Sequence, residues 1–264
     1  MPHTYECALR WADMDMLGHV NNVRYLEYVA AARDAMFDGL PVGRAAVRSH
    51  RVEFAAPLVF RRTPILVDSC VTALGDDHVA LAHEVYDETD AGRVVHLRVS
   101  TVLDHRPDPR EREVAEGLLG PDHEWRPVAD GIGEPRAVYP VQLRPTDLDE
   151  TGHVRDVLLF EYLQESRIQY LMNLHTRGQA WTQHVIARTD VRFHEQIPFR
   201  RAPYEVRSWI GHLGTKSFTI RAQVCDGDRL LADAAVVMVT FDKETQRPAP
   251  MADTQRERLE AELS

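Results

Sequence analysis

The run Arg10-Trp-Ala-Asp13-Met-Asp15-Met-Leu-Gly18-His19-Val20-Asn21-Asn22-Val-Arg-Tyr25-Leu-Glu27-Tyr28 brings three carboxylates, an imidazole and two amides close together. The segment Arg10–Arg33 recurs without a gap as Arg144–Arg167, with ten identities in twenty-four positions. Asp13 falls on Asp147, Asp15 on Asp149, Gly18 on Gly152, His19 on His153, Tyr28 on Tyr162 and Arg33 on Arg167. Three chemistries compete for this pattern. Calcium would suit Asp147, Asp149, Thr151 and Gly152, which match positions 1, 3, 5 and 6 of an EF-hand loop. The bidentate Glu required at the twelfth position is Leu158 here and Arg24 in the first copy, so calcium fails. A transition metal on Asp15 and His19 would have too few ligands, with no His or Cys cluster to add to them. The third reading is a helix-entry active site, in which a carboxylate and an imidazole precede free helix N–H groups that stabilise negative charge.

That arrangement suits thioester hydrolysis. A thiolate leaves readily because its conjugate acid has a pKa of about 8–9, so no strong general acid is required. One carboxylate to activate water or attack the carbonyl, with N–H donors for the oxyanion, would suffice. The plainer alternative makes Asp13 and Asp15 turn formers and His19 a packed loop residue. Asn22 would be a helix N-cap, with Asp156 its counterpart. Asp13 and Asn22 read this plainer way. Recurrence beside the fixed glycine spacing favours function for Asp15 and His19, and with them Asp149 and His153.

The elements that must hold these residues repeat as well. After the first motif the offset grows slightly, which implies a short insertion: Val52-Glu-Phe54 meets Val191-Arg-Phe193, and Leu74-Gly75 meets Leu213-Gly214. A period this long marks a repeated domain rather than a solenoid unit. Residues 1–105 read as the first domain and 137–264 as the second. Residues 106–136, rich in Pro, Gly and charge, read as a linker with one short helix. Each half opens with a short strand (Tyr5–Trp11, Val138–Leu143), followed by a helix marked by Leu26, Val29, Ala30, Arg33 and Phe37 or by Phe160, Leu163, Gln164, Arg167 and Leu171. Four strands follow in each half, near Val47–Phe60, Pro64–Leu74, Val79–Asp87 and Val94–Asp104, then Val185–Glu195, Tyr204–Leu213, Phe218–Cys225 and Leu230–Asp242. The fold class is α+β with antiparallel sheets.

Composition excludes several classes. The chain has 264 residues, a 44% apolar fraction and a net charge of −10, which speaks against general nucleic-acid binding and mildly against acidic carrier proteins. No apolar stretch approaches a membrane span, and the first residues lack the basic and apolar pattern of a secretory signal. Three cysteines, Cys7, Cys70 and Cys225, form no Cys-x-x-Cys and suit a reducing cytoplasm.

Asp13-x-Asp15-x-x-Gly18-His19-Val20-Asn21-Asn22-x-x-Tyr25-Leu26-x-Tyr28, ending in Ala32-Arg33, resembles the signature of hotdog-fold thioesterases. It is similar to the 4-hydroxybenzoyl-CoA thioesterase family and the related acyl-ACP thioesterases. The resemblance implies two hotdog domains in tandem, each a long helix wrapped by an antiparallel sheet, with acyl-thioester sites at the seam of the pair. It implies that Asp15 and Asp149 are the catalytic carboxylates, and that His19 and His153 are the motif histidines, with Asn21 a further catalytic candidate. Gly18 and Asn22 join the substrate-binding candidates.

The copies depart from the family pattern differently. The acyl-ACP branch usually has Asn two residues after the catalytic Asp, where Leu17 and Thr151 stand. Arg155-Asp156 replaces Asn21-Asn22, and Ala31 stands where many relatives carry the Glu that survives as Glu165. Gly214-Thr215-Lys216-Ser217 resembles the family's Lys-Ser-Phe strand near pantetheine or nucleotide, whereas the first half has acidic Asp76-Asp77 there. One dominant site is therefore expected, built from Asp15, His19 and Asn21 with Lys216 and Ser217 opposite. Arg61-Arg62 and Arg200-Arg201 are candidates for CoA phosphates, or simply mark solvated strand ends. The expected activity is acyl-CoA hydrolysis in lipid metabolism, with no metal or redox cofactor and a small-molecule substrate. The alternatives are a non-catalytic acyl-CoA-binding hotdog protein or an acyl-ACP thioesterase, with a hotdog hydratase ranked last. Neither nucleic acid nor membrane is expected as a partner, and the tandem chain could act alone or as a homodimer.

Overall fold

The computed structural model describes residues 2–263, apart from Leu17, Asp130, Ile132, residues 176–179, Lys243 and Gln246. The chain forms two compact units, residues 1–125 and 126–264. The division falls inside the segment 106–136, and much of that segment is docked on the first unit. In that unit α1 (Arg24–Met36) accompanies β1 (His3–Cys7), β2 (Ala46–Phe54), β3 (Ile65–Leu74), β4 (His78–Thr89) and β5 (Gly92–Asp104). Its sheet runs β1-β3-β4-β5-β2 with every pairing antiparallel.

Alternation along the strands sets the buried face. Val67, Val85 and Leu97 lie across from one another on β3, β4 and β5, and all three are fully buried. Apolar residues at every second position turn to one side of a pleated sheet. α1 covers that side with Tyr25, Leu26, Tyr28, Val29, Ala32, Arg33 and Met36. An alanine-rich centre favours the helix. Its end is equally local: Asp38 (φ 47°) and Gly39 (φ 74°) take the left-handed conformation that stops a helix, and Pro41 follows. Fully burying one such Leu or Phe contributes about 1.5–3 kcal/mol.

The second unit repeats the plan with β6 (Ala137–Val141), α3 (Asp156–Leu174), β7 (His184–Phe193), β8 (Tyr204–Leu213), β9 (Ser217–Asp226) and β10 (Arg229–Asp242). Its sheet runs β6-β8-β9-β10-β7, again antiparallel throughout. α3 has 19 residues against 13 in α1, so the implied insertion lies partly in the helix. Each unit also carries a terminal helix, α2 (Pro109–Gly117) or α4 (Asp253–Glu262), preceded in the second unit by the short β11 (Arg247–Pro248). Arg112 of α2 donates to the Gly75 carbonyl and Arg256 of α4 to the Gly214 carbonyl, so both helices hold equivalent β-turns. The architecture is α+β, a tandem of hotdog domains.

Candidate active site

Each motif is a short loop between the first strand and the long helix, and most of its identities are structural. Trp11–Asp13 and Pro145–Asp147 form single 3₁₀ turns. Asp13 Oδ2 accepts from the Arg10 N–H at 2.9 Å and from the Tyr28 hydroxyl at 2.7 Å. Asp147 repeats this with the Arg144 N–H at 2.7 Å and the Tyr162 hydroxyl at 2.6 Å. Burial and the aspartate bond both push the two tyrosine hydroxyls above the usual phenol range. Arg33 is buried beneath α1 and donates to the Gly43 carbonyl at 3.0 Å. Burial alone lowers Arg167 to about 10.

Asp15 and His19 close the loop on each other. The Asp15 N–H donates to the His19 carbonyl at 2.8 Å, and the His19 N–H donates to Asp15 Oδ1 at 3.2 Å. Asp149 and His153 do the same at 2.7 and 3.1 Å. A loop this tight needs a left-handed residue, supplied by Gly18 (φ 77°) and Gly152 (φ 86°). A Cβ at either glycine would meet nothing within 4 Å, so the requirement is conformational rather than steric. The loop is anchored beyond itself by Val20 N–H to the Leu58 carbonyl at 2.7 Å and Val154 N–H to the Ile197 carbonyl at 2.8 Å.

In the second copy Thr151 adds to this closure. Asp149 Oδ1 also accepts from the Thr151 N–H at 2.8 Å and the Thr151 hydroxyl at 2.7 Å. Burial works to raise the Asp149 pKa, but the Thr151 and His153 bonds outweigh it and hold the carboxyl below its ordinary value. Leu17, the first-copy counterpart of Thr151, lies outside the described residues.

Helix entry departs from expectation by one residue. Asn21, not Asn22, supplies the side-chain acceptor, taking the Val23 N–H at 3.3 Å while its carbonyl takes the Arg24 N–H at 2.8 Å. Val23 stands at the N-cap position of α1 with no side-chain cap bond, so neither amide caps the helix. Asp156 is the first residue of α3 rather than its cap, which places its charge at the positive end of the helix dipole.

The remaining candidates sit elsewhere in their units. Gly214-Thr215-Lys216-Ser217 is the β8–β9 turn, closed by the Gly214 N–H on the Ser217 carbonyl at 2.7 Å, with Thr215 and Lys216 exposed. The matching β3–β4 turn carries Asp77, held by Arg48 at 3.0 Å and by His78 at 3.0 Å. Arg61 is bonded to Asp87, which also meets His96 Nε2 at 2.8 Å. Arg200 is bonded to Asp226 and lies 3.7 Å over the Tyr204 ring. Arg62 and Arg201 are exposed. The sequence reading missed Thr151 as a partner of both Asp149 and His153; its spacing, two residues from each, was the available signal. Among the described residues, no three His, Cys, Asp or Glu side chains converge as a metal-binding group, and no helix is long and apolar enough to cross a membrane.

Residues 9–116 and 143–259 each match the family model described as thioesterase-like superfamily. Among solved structures, one described as an oleoyl thioesterase from Lactobacillus plantarum aligns with TM-score 0.72 at 11% identity, over 92% of this chain and 98% of its own. The 12:0-ACP thioesterase of Umbellularia californica aligns with TM-score 0.65 at 14% identity, over 91% and 98%. An acyl-ACP thioesterase from Bacteroides thetaiotaomicron aligns with TM-score 0.61 at 12% identity, over 90% and 97%. At these identities the likeness is one of fold. No curated protein matches the sequence.

Proposed function

Because the chain belongs to the thioesterase-like superfamily, we propose that it is a thioester hydrolase acting on acyl-CoA, with the Asp15 and Asp149 loops as its reactive elements. The observation that carries this reading is the duplicated loop itself. A carboxylate and an imidazole are locked together by reciprocal backbone bonds, immediately ahead of a helix N-terminus. In the first copy the Asp15 carboxylate takes a proton from water as the water oxygen attacks the thioester carbonyl carbon. The oxyanion is stabilised by backbone N–H donors, the C–S bond breaks, and the departing thiolate collects the proton. The products are a carboxylic acid and CoA, and the sequence of steps uses no metal or redox cofactor. A reducing, cytoplasmic setting is part of the same reading, supported by three cysteines that remain thiols.

A second reading, hydrolysis of acyl groups on a carrier protein, draws on the two ACP thioesterases whose fold the chain shares. The net charge of −10 weighs against an acidic carrier. Thiol release from short, long and aromatic acyl-CoAs, run beside the same acyl groups on a carrier protein, separates the two. Faster release from CoA is expected. Release from the carrier alone overturns the CoA assignment, and release from neither overturns hydrolysis.

A further inference from the structure

In the second copy Thr151 stands between the two groups that the repeat preserves. Its Oγ1 lies 2.7 Å from Asp149 Oδ1 and 2.9 Å from His153 Nδ1. A hydroxyl has one proton to give and lone pairs with which to accept. An ionised carboxylate can only accept, and the bonds that hold Asp149 below the usual carboxylate range keep it ionised. The hydroxyl proton therefore points at Asp149. Oγ1 offers His153 a lone pair, and the ring nitrogen facing it must carry the hydrogen. The opposite assignment sets the Nδ1 lone pair against an oxygen whose proton is already committed. In a neutral imidazole, a hydrogen on Nδ1 leaves the lone pair on Nε2.

The geometry points to Thr151 as a positioning residue that couples the Asp149 carboxylate to the His153 imidazole, fixing the tautomer in which Nε2 is the base of the second copy. This inference rests on the hydrolase reading and adds the identity of the proton acceptor. Nε2 takes a proton from water as the water oxygen bonds to the thioester carbonyl carbon. The resulting imidazolium keeps its Nδ1–H on Thr151 Oγ1, so the Asp149 charge is relayed to it through one hydroxyl. Collapse of the oxyanion breaks the C–S bond, and the proton on Nε2 passes to the thiolate, restoring the neutral ring. Three donors on Asp149 Oδ1 make that carboxylate a poor base, which leaves the imidazole to accept the proton. The first copy cannot build the relay, because leucine at position 17 has no hydrogen-bonding side chain.

Two readouts test the relay on the full chain. Two-bond ¹H–¹⁵N correlation on histidine-labelled protein, with His153 assigned by its loss in His153→Asn, reads the tautomer without any substrate. Wild type and Thr151→Ser should show the hydrogen on Nδ1, and Thr151→Ala should lose that preference. A hydrogen on Nε2 in the wild type, or an unaltered tautomer in Thr151→Ala, overturns the relay. In an Asp15→Asn background, residual thiol release should report the second copy. It should fall in kcat by roughly tenfold with Thr151→Ala, the rate equivalent of one ordinary hydrogen bond, and be restored by Thr151→Ser. Equal rates for Thr151→Ala and its parent overturn the catalytic part of the proposal. No turnover by any variant, wild type included, overturns the hydrolase reading itself, whereas the tautomer alone decides the relay.

Discussion

Asp13 and Asp15 are separated by one residue and carry different loads. Asp13 is 8% exposed and holds the Arg10 N–H and the Tyr28 hydroxyl, so its removal strands one half-buried and one buried donor. Each such donor costs about 1–3 kcal/mol. We expect Asp13→Ala and Asp147→Ala to lower the urea midpoint by a stability loss in that range. Asp15→Ala should cost less stability than Asp13→Ala, because Asp15 is half-buried where Asp13 is buried, while thiol release falls. A large stability loss from Asp15→Ala, with Asp13→Ala silent, would reverse the two roles. The sequence separates these aspartates only in outline. Recurrence marks both, and turn chemistry accounts for Asp13 on the Arg10 N–H because that bond is local. The Tyr28 bond spans fifteen residues across a turn and a helix entry, and no periodicity announces it. The cap expected at Asn22 falls instead on Val23, because the turn from Asn21 carries the chain one residue further before α1 begins at Arg24.

At the scale of elements, alternation gave most strands within a few residues because each has one buried face. The first strand did not follow that rule. Expected over Tyr5–Trp11, it ends at Cys7 because its partner β3 begins at Ile65 opposite Cys7. Pairing length is set by the partner, which the strand's own sequence does not contain. The short helix within residues 106–136 was legible in the sequence, but its anchoring was not. Glu111 of α2 is 2% exposed and accepts from the Val42 N–H at 2.9 Å, the Asp108 N–H at 2.9 Å and His105 Nε2 at 2.8 Å. In the second unit Gln255 of α4 accepts from the Thr182 N–H at 3.0 Å, a neutral version of the same clamp. Burial works to raise Glu111, yet the bonds from Asp108, His105 and Val42 prevail and hold it below the ordinary carboxylate value. A carboxyl whose folded pKa is depressed adds stability above its unfolded pKa, about 4.3, and loses it as pH falls through the folded value. Glu111→Gln should therefore be destabilised by about 1–3 kcal/mol at pH 7, with the gap to wild type narrowing once the pH drops below about 4. Urea titrations of both proteins at several pH values would show it. A gap that is constant with pH would mean that shape, not charge, makes the clamp.

For the whole molecule, one scaffold is used twice while the chemistry carried on it has diverged. Both units keep the Asp–Tyr bond, the left-handed glycine and the helix arginine that holds a β-turn. They differ two residues after the motif aspartate, where the first sequence has leucine and the second has Thr151, which bonds one carboxylate oxygen and one imidazole nitrogen. Asp149 already accepts three hydrogen bonds through one oxygen, and each stabilises the charge that protonation would remove, so the second copy leaves the proton to its imidazole. The two aspartates should therefore contribute unequally. Losing a positioned base costs on the order of 10²–10⁴-fold in rate. We expect Asp15→Asn to approach that loss in kcat and Asp149→Asn to lose less than about tenfold, since His153 remains to accept the proton in the second copy. Thiol release by the two variants on a shared substrate measures the difference directly, with urea midpoints to confirm that both remain folded. Equal losses would mean that the copies act as equivalents and that the divergence at position 151 does not reach the chemistry. A larger loss from Asp149→Asn would move the main activity to the second copy and make Thr151 its support.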